Sequence, residues 1–535
     1  MKPIGRRQAW GLAPAVPGAC PRALALARGL ILAAACVCAP PRAATADEET
    51  RAISLGNTAY YVDSQRGDDA NPGTTPDKAW RTLDRVNAMT FAPGDKVLFR
   101  AGTRYSGQLR PQGSGKEGAP IVISSFGEGP KPRVDGEGKV NETVLLHNVE
   151  YIEISGLEIT NTGERSEGGR SGVAVSLEDF GTAHHIHLTE LYVHDVNGSN
   201  VKGHGRSGII FGNGGKKVKS RFDGLLIENC HLVRTDRNGI TGWSEYWPRT
   251  EWYPSLNVVI RGNLLEDIGG DGIVPIGCDG ALIERNTLRG GRMRADDYAA
   301  GIWPWSCDNT VIQFNEVSGM RGTKDGQGFD SDWNCRNTLI QHNYSHDNDG
   351  GFLLICNDGS SKPPVNAGNV GTVVRYNISQ NDGERTFMIS AVESTSIYNN
   401  TIYVKEGMDV LGVFCHSWDG WAKDTHFANN IFIAQGTVRY DFGESTGNVF
   451  TNNVFFGNHV GRPDDPKAIT SDPLLVSPGS GSDGLDSVSG YKLRAGSPCI
   501  GAGVPIADNG GRDFWGNAVP AAGAPDIGAH QTTRR

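Results

Sequence analysis

From about residue 116 to 460 the chain repeats short apolar stretches set between polar turns. Ile121-Val122-Ile123, Tyr151-Ile152-Glu153-Ile154, His185-Ile186-His187-Leu188, Leu225-Leu226-Ile227 and Val258-Val259-Ile260 begin the series. Leu282-Ile283, Val311-Ile312, Leu339-Ile340, Val373-Val374, Ser396-Ile397 and Ile431-Phe432 continue it. Such runs between Gly, Asn and Asp predict short strands. A second pattern sets a glycine before an apolar residue: Gly172-Val173, Gly208-Ile209, Gly239-Ile240, Gly272-Ile273, Gly301-Ile302, Gly328-Phe329 and Gly351-Phe352. These glycines lie 23 to 36 residues apart. Self-similarity at that period predicts a solenoid, each repeat one coil stacked on the next.

Three segments align residue for residue. Cys278 to Asn286, Cys307 to Asn315 and Cys335 to Asn343 each run from a cysteine through a two-residue apolar strand to an asparagine, and Asn377 extends the asparagine column. Strands of adjacent coils sit about 4.8 Å apart, so matching residues stack in columns. Asparagine suits turns because its side chain bonds nearby backbone. The pattern resembles the right-handed parallel β-helix superfamily, the pectate-lyase-like fold of many secreted polysaccharide-degrading enzymes. The expected fold is all-β, a single-stranded right-handed parallel β-helix with an N-terminal helix-containing cap.

Residues 55–115 predict that cap. Tyr60-Tyr61-Val62-Asp63 reads as a strand, Trp80 to Met89 as a helix with apolar residues at every third position, and Val97-Leu98-Phe99 as another strand. The order of strand, Asn-Pro-Gly loop, Trp-x-Thr-Leu helix and Pro-Gly-Asp-x-Val strand resembles the entry of secreted β-helix proteins. Coils span 116–460, and 461–535 reads as a closing segment without chemistry. The first 46 residues carry Arg6, Arg7, Arg22 and Arg28, an apolar run from Gly29 to Ala39 and Ala44-Thr45-Ala46. That reads as a secretory signal, and the run is too short to span a membrane. The expected location is therefore secreted, periplasmic or cell-surface.

Composition narrows the function. Among 535 residues, 72 are glycine, as tight turns demand, and net charge is −9. The only basic run is Lys216-Lys217-Val218-Lys219, which argues against nucleic acid as a partner. A monomer acting on a polysaccharide or oligosaccharide is expected. Seven of ten cysteines follow the signal segment, and their in-register spacing predicts buried stacking rather than disulfides. CxxC spacings are absent, so zinc is not indicated.

The candidate site follows from side-chain alternation. After each marker glycine the first residue (Ile240, Ile273, Ile302, Phe329, Phe352) points inward, so the second and fourth point out. The outward pairs are Thr241 with Trp243, Val274 with Ile276, Trp303 with Trp305, Asp330 with Asp332, and Leu353 with Ile355. Tryptophans beside aspartates suggest a sugar platform next to an acid and a base. Asp330 and Asp332 would stand about 6.5 to 7 Å apart along one strand. Mutual repulsion would hold one of them protonated. Asp297 or Asp349, on turns before neighbouring strands, could partner them; Asp296, Asp325 and Asp347 lie on similar turns. Trp243, Trp303, Trp305, Arg292, Arg294, Lys324 and His346 are candidates to hold substrate. Turn aspartates also serve ordinary turn chemistry, and an outward Asp pair could bind Ca2+; no cofactor is required and no metal ligand is assigned. The expected function is an exported glycoside hydrolase. Alternatives are a polysaccharide lyase, which would need a base such as Lys324, Arg292, Arg294, His346 or Tyr344, and a non-catalytic carbohydrate-binding protein.

Overall fold

The computed structural model describes residues 51–533 apart from 167, 204–206, 358–362 and 419. The proposed signal segment, with Cys20, Cys36 and Cys38, lies outside the described residues. The chain winds as a parallel β-helix whose strands form three faces. One face runs from Ile121–Phe126 through Thr182–Thr189, Val259–Arg261 and Val311–Gln313 to Val449–Thr451. A second runs from Arg133–Asp135 through His231–Thr235, Glu316–Ser318 and Tyr344–His346 to Val454–Val460. The third holds Ser171–Glu178, Ser207–Gly214, Asn238–Ser244, Gln327–Ser331, Gly351–Cys356 and Arg385–Ser390. Neighbouring strands on every face pair in parallel.

The interior is filled by columns of like residues. Val173, Ile209, Ile240, Ile273, Ile302, Phe329 and Leu353 follow one another in register, all with no measurable exposure. The marker glycines are required by close approach. A Cβ on Gly239 would lie 2.4 Å from Leu265 Cδ2, and one on Gly272 would lie 2.5 Å from the Gly301 carbonyl oxygen. Apolar side chains from the second face occupy the space a side chain would need.

Register differs from expectation at one coil. Gly351 pairs with Gln327, not with the Gly328 position, so Leu354 stands opposite Asp330. A one-residue slip moves every side chain to the other side of a strand. Leu353 and Ile355 are therefore core residues, and Leu354 and Cys356 are the outward neighbours of the acidic strand. The cause is backbone. Gly351 takes φ +131°, and a Cβ there would fall 1.6 Å from the Arg385 carbonyl oxygen.

The asparagine column forms a ladder. Asn286 Nδ2 donates to Asn315 Oδ1 at 3.0 Å, Asn315 to Asn343 at 3.0 Å and Asn343 to Asn377 at 3.0 Å. It begins upstream at Asn263 and continues through Asn400, Asn430 and Asn453 to Asp465. Cys278, Cys307 and Cys335 stack as buried free thiols, each of the first two donating its backbone N–H to the next sulfur.

In the N-terminal region the helix is shorter than expected, Leu83–Asn87, with Thr82 as its cap. Trp80 belongs instead to a bridge with Val62, and Met89–Thr90 pairs with Ala52–Ile53. Asp69 fixes the difference by accepting from the backbone N–H groups of Arg81 and Thr82, holding them outside a helix. Downstream of the coils, Leu475, Val488, Tyr491, Cys499, Phe514 and Ile527 pack on Tyr344, Ile378, Ile431 and Val454, covering the second face. Among the described residues no helix is long and apolar enough to cross a membrane.

Candidate active site

The third face turns acidic at Gln327–Ser331. Asp330 is 2 % exposed and Asp332 9 %. One carboxylate oxygen of each and the Cys356 sulfur lie within 4.8 Å of one another. The two carboxyls are built differently. Asp332 Oδ1 accepts the Trp333 backbone N–H at 2.7 Å and faces the Cys356 thiol at 3.1 Å. Asp330 Oδ1 is buried without a hydrogen-bond partner.

Burial, with repulsion from neighbouring carboxyls, raises both. Desolvation pushes the Asp332 carboxyl up to about 7, against the bonds from Cys356 and Trp333 and the charge of Lys202. Desolvation, then Asp332 and Asp325, hold Asp330 well above the usual carboxylate range. Asp325, half-buried at φ +61° on the preceding turn, is also raised, by burial first and by Asp271, with Lys202 and Arg385 opposing. Protons therefore stay in this cluster at neutral pH.

Two cations come from other coils. Lys202 lies on the loop inserted between the strands Tyr192–Val196 and Ser207–Gly214, its ammonium 5.2 Å from the Trp303 ring centroid and 3.2 Å from the Tyr298 carbonyl oxygen it bonds. Desolvation works against its charge, but Asp271, Asp325 and Asp332 outweigh that and raise its pKa. Arg237, fully buried, stands 3.2 Å from Asp271 and 3.2 Å from Asp297. Sequence reasoning did not single out Lys202, Arg237 or Asp271. Their only signal is position: Asp271 immediately precedes a marker glycine, and Lys202 sits in a long insertion.

The other expected residues fall into three groups. Trp305, half-buried, meets Trp247 and Trp333 at ring-centroid distances of 5.0 and 4.9 Å, forming an aromatic corner beside Asp332. Trp247 arrives on the insertion between Asn238–Ser244 and Ser255–Leu256, pinned by Arg249, which is bidentate to Asp308 at 2.9 and 2.7 Å. Trp243, 37 % exposed, lies farther along the same outward column. Trp303 is not an open platform. It is 5 % exposed, lies under Lys202 and donates Nε1–H to Asp271 at 3.1 Å, because the insertion folds over it.

Asp297 and Asp349 hold turns. Asp297 accepts the Lys202 backbone N–H at 2.6 Å and Asp349 that of Gly322 at 2.7 Å. Arg292 donates to the Asp297 and Arg321 carbonyls, Arg294 pairs with Asp236 and Asp267, and Lys324 donates to the Asp296 carbonyl. His346 belongs to the second face, 3.2 Å from Glu316 and 3.0 Å from Asp347, under the C-terminal segment whose Gly484 N–H also binds Glu316. Desolvation lowers its pKa, but the bonds to Asp347 and Glu316 prevail and raise it to about 9. A depression of about 520 Å³ elsewhere on the second face is lined by Arg104, Arg133, Glu137, Lys139 and Asp195. Its charged groups are already paired, Arg104 with Asp135 and Glu137, Lys139 with Glu137, Arg133 with Glu158 and Asp195 with Arg234.

Residues 223–366 match the right-handed β-helix region family. The chain is 31% identical to a lacto-N-biosidase of Bifidobacterium longum over 612 aligned positions, which cover 91% of this chain and 37% of that protein. It thus spans little more than a third of that relative's length. It is similar to the crystal structure of a GH136 lacto-N-biosidase from Eubacterium ramulus, with TM-score 0.59 and 29% identity, covering 69% of this chain and 68% of that one. A shorter stretch, 18% of this chain and 16% of the relative, is 34% identical to an alpha-1,3-galactosidase A of Akkermansia muciniphila. The stacked parallel faces, the asparagine ladder and these likenesses agree: the chain folds as a right-handed parallel β-helix.

Proposed function

We propose that this protein is an exported glycoside hydrolase that cleaves an oligosaccharide at the acidic strand. The observation that carries this reading is the set of three carboxyl groups, Asp325, Asp330 and Asp332, all raised above the ordinary carboxylate range by burial, beside the Trp305, Trp247 and Trp333 corner. Glycoside hydrolysis needs one carboxyl that is protonated and one that is ionised, flanking the scissile bond. Asp332 suits the second role. Its anion is held by the Trp333 N–H and the Cys356 thiol, and Lys202 favours its charge. The acid must touch the leaving oxygen, so Asp325, the more open of the two and itself raised by burial, suits that role better than the enclosed Asp330. Asp330 holds a proton behind the pair and keeps negative charge from accumulating there. The tryptophan corner offers faces on which sugar rings stack.

The names of the relatives in Bifidobacterium longum and Eubacterium ramulus support a lacto-N-biose unit as the group released. The lyase reading is weaker, because Arg292, Arg294, Lys324 and His346 are all engaged elsewhere. The test is a panel of nitrophenyl mono- and disaccharide glycosides that includes the lacto-N-bioside, run with wild type, Asp332→Asn and Asp325→Asn. Release of nitrophenol by wild type alone supports the proposal. Unsaturated uronate products from an acidic polymer would convert it to a lyase. Binding without turnover across the panel would make it a binding protein.

A further inference from the structure

From Tyr151 onward each first-face strand is entered through a residue in the left-handed region. That residue is Gly or Asn in six consecutive coils: Gly224, Asn257, Gly280, Asn309, Asn337 and Gly371. These residues adopt positive φ at little cost. Two residues further on, the outward position is a half-buried aliphatic one, with Leu226, Val259, Leu282, Val311, Leu339 and Val373 in register. Four coils depart from both rules: two near the C-terminal end, with Ser394 before Ser396 and Asp424 before His426, and two near the N-terminal end. In the N-terminal pair the left-handed position is Tyr151 (φ +49°) and then His185 (φ +51°), and the aliphatic column is replaced by Glu153 and His187, paired across the coils.

The departure brings three donor groups to one point. His185 Nε2 lies 2.8 Å from Glu153 Oε1, and the His185 and His187 rings are 3.8 Å apart between centroids. One ligand atom from each of Glu153, His185 and His187 falls within 4.8 Å of the others, all three half-buried. His187 has no hydrogen-bond partner among the described residues. Burial first, and then His185, lower the pKa of His187, against Glu153 and Glu228. The other titratable groups around the point are His184, bonded to Glu150 at 2.9 Å, Tyr151, stacked 6.0 Å from His185, and Glu228, which pairs with Arg261. Nothing in the solenoid requires two imidazoles here, and the leucines and valines of the next six coils fill the same place.

We propose that Glu153, His185 and His187 form a binding site for a divalent transition metal, with Zn2+ the best fit. Two imidazole nitrogens and a carboxylate oxygen are a ligand set that zinc takes with water in the fourth position. Zinc holds its ligands about 2.0–2.2 Å from itself, which asks the His185–Glu153 pair, now 2.8 Å apart, to open slightly around the ion. Binding replaces the His185–Glu153 hydrogen bond and needs both imidazoles neutral, so affinity falls with acidification. Glu153 belongs to one coil and the histidines to the next, so the ion staples two coils near the N-terminal end. The site lies about five coil steps from the acidic strand, on the order of 24 Å at the usual strand spacing, so it acts on stability and not on turnover.

The test is calorimetric titration of chelator-stripped protein with Zn2+, with thermal melts in parallel. The variants are His187→Asn and, should that fail to fold, Glu153→Gln. The Glu316, His346 and Asp483 group and the Asp330, Asp332 and Cys356 group are also potential metal sites, so the readout is the difference from wild type. The expected result is one equivalent fewer in the variant, or affinity at least tenfold weaker, loss of the zinc-induced rise in Tm, and unchanged hydrolytic rate. Unchanged zinc stoichiometry and affinity in a folded variant would overturn the proposal, as would a wild type that binds no zinc.

Discussion

The asparagine ladder and the acidic strand both consist of buried polar side chains on stacked coils, yet they are built on opposite rules. In the ladder each amide finds its partners. Asn315 Nδ2 donates to the Asn343 side chain and the Ile283 carbonyl, and its own Oδ1 accepts twice from Asn286. At the acidic strand, like charges crowd together, Asp330 keeps an oxygen without a partner, and three carboxyls are raised. A satisfied polar column stabilises and specifies the stack; an unsatisfied one stores chemical potential at a fixed place. The helix carries the second because the first holds the coils in register around it.

Substitutions sharpen that contrast. The largest effect is expected from Asp332→Asn: a loss of glycoside turnover of about 10³-fold or more, equivalent to about 4 kcal/mol of transition-state stabilisation, with Tm unchanged or raised because a buried like charge is removed. Steady-state rates and a melt on one sample check both halves, and a lower Tm would put Asp332 on the structural side. Asn315→Ala should do the reverse. It leaves the Asn286 donors and the Ile283 carbonyl unpaired, at a cost of about 3 kcal/mol or more, read by urea unfolding, while folded protein keeps its turnover.

His346 tests a third kind of buried polar group, one whose charge is balanced by Glu316 and Asp347. Its pKa is about 9 when folded, against 6.5 ordinarily. The stability it contributes is therefore fully present below about pH 6.5 and is lost as pH rises through about 9, a change of up to about 3 kcal/mol. His346→Gln should flatten the unfolding free energy over that window; an unaltered slope would remove His346 as the C-terminal segment's clamp. The smallest effect is expected at the aromatic corner. Trp305→Ala should raise KM by about tenfold, or about 1.4 kcal/mol, with kcat changed less, as measured in the same glycoside assay.

Much of the architecture was legible from residues alone, because a repeat displays its own register. The Cys-to-Asn segments aligned without any structure, and the inward column of Ile240, Ile273, Ile302 and Phe329 followed from period-two alternation. The alignment slipped at Gly351, where a glycine with the same appearance as its neighbours does a different job. Asp330 and Asp332 were visible as an acidic break in an apolar outward column. Trp303 was visible too, but not the loop that covers it. The Glu153, His185 and His187 cluster escaped a search for metal spacing because its ligands come from two coils.

By itself the sequence determined the fold class, the core columns, the free stacked cysteines and the strand on which acidic groups gather. All of these depend on local periodicity, which is written along the chain. Only the tertiary structure decided which groups share that strand's electrostatic field. Lys202, Asp271 and Trp247 reach the acidic strand from coils and insertions distant in sequence, Arg237 pairs with Asp271, and burial there, a property of the assembled surface, raises the carboxyls.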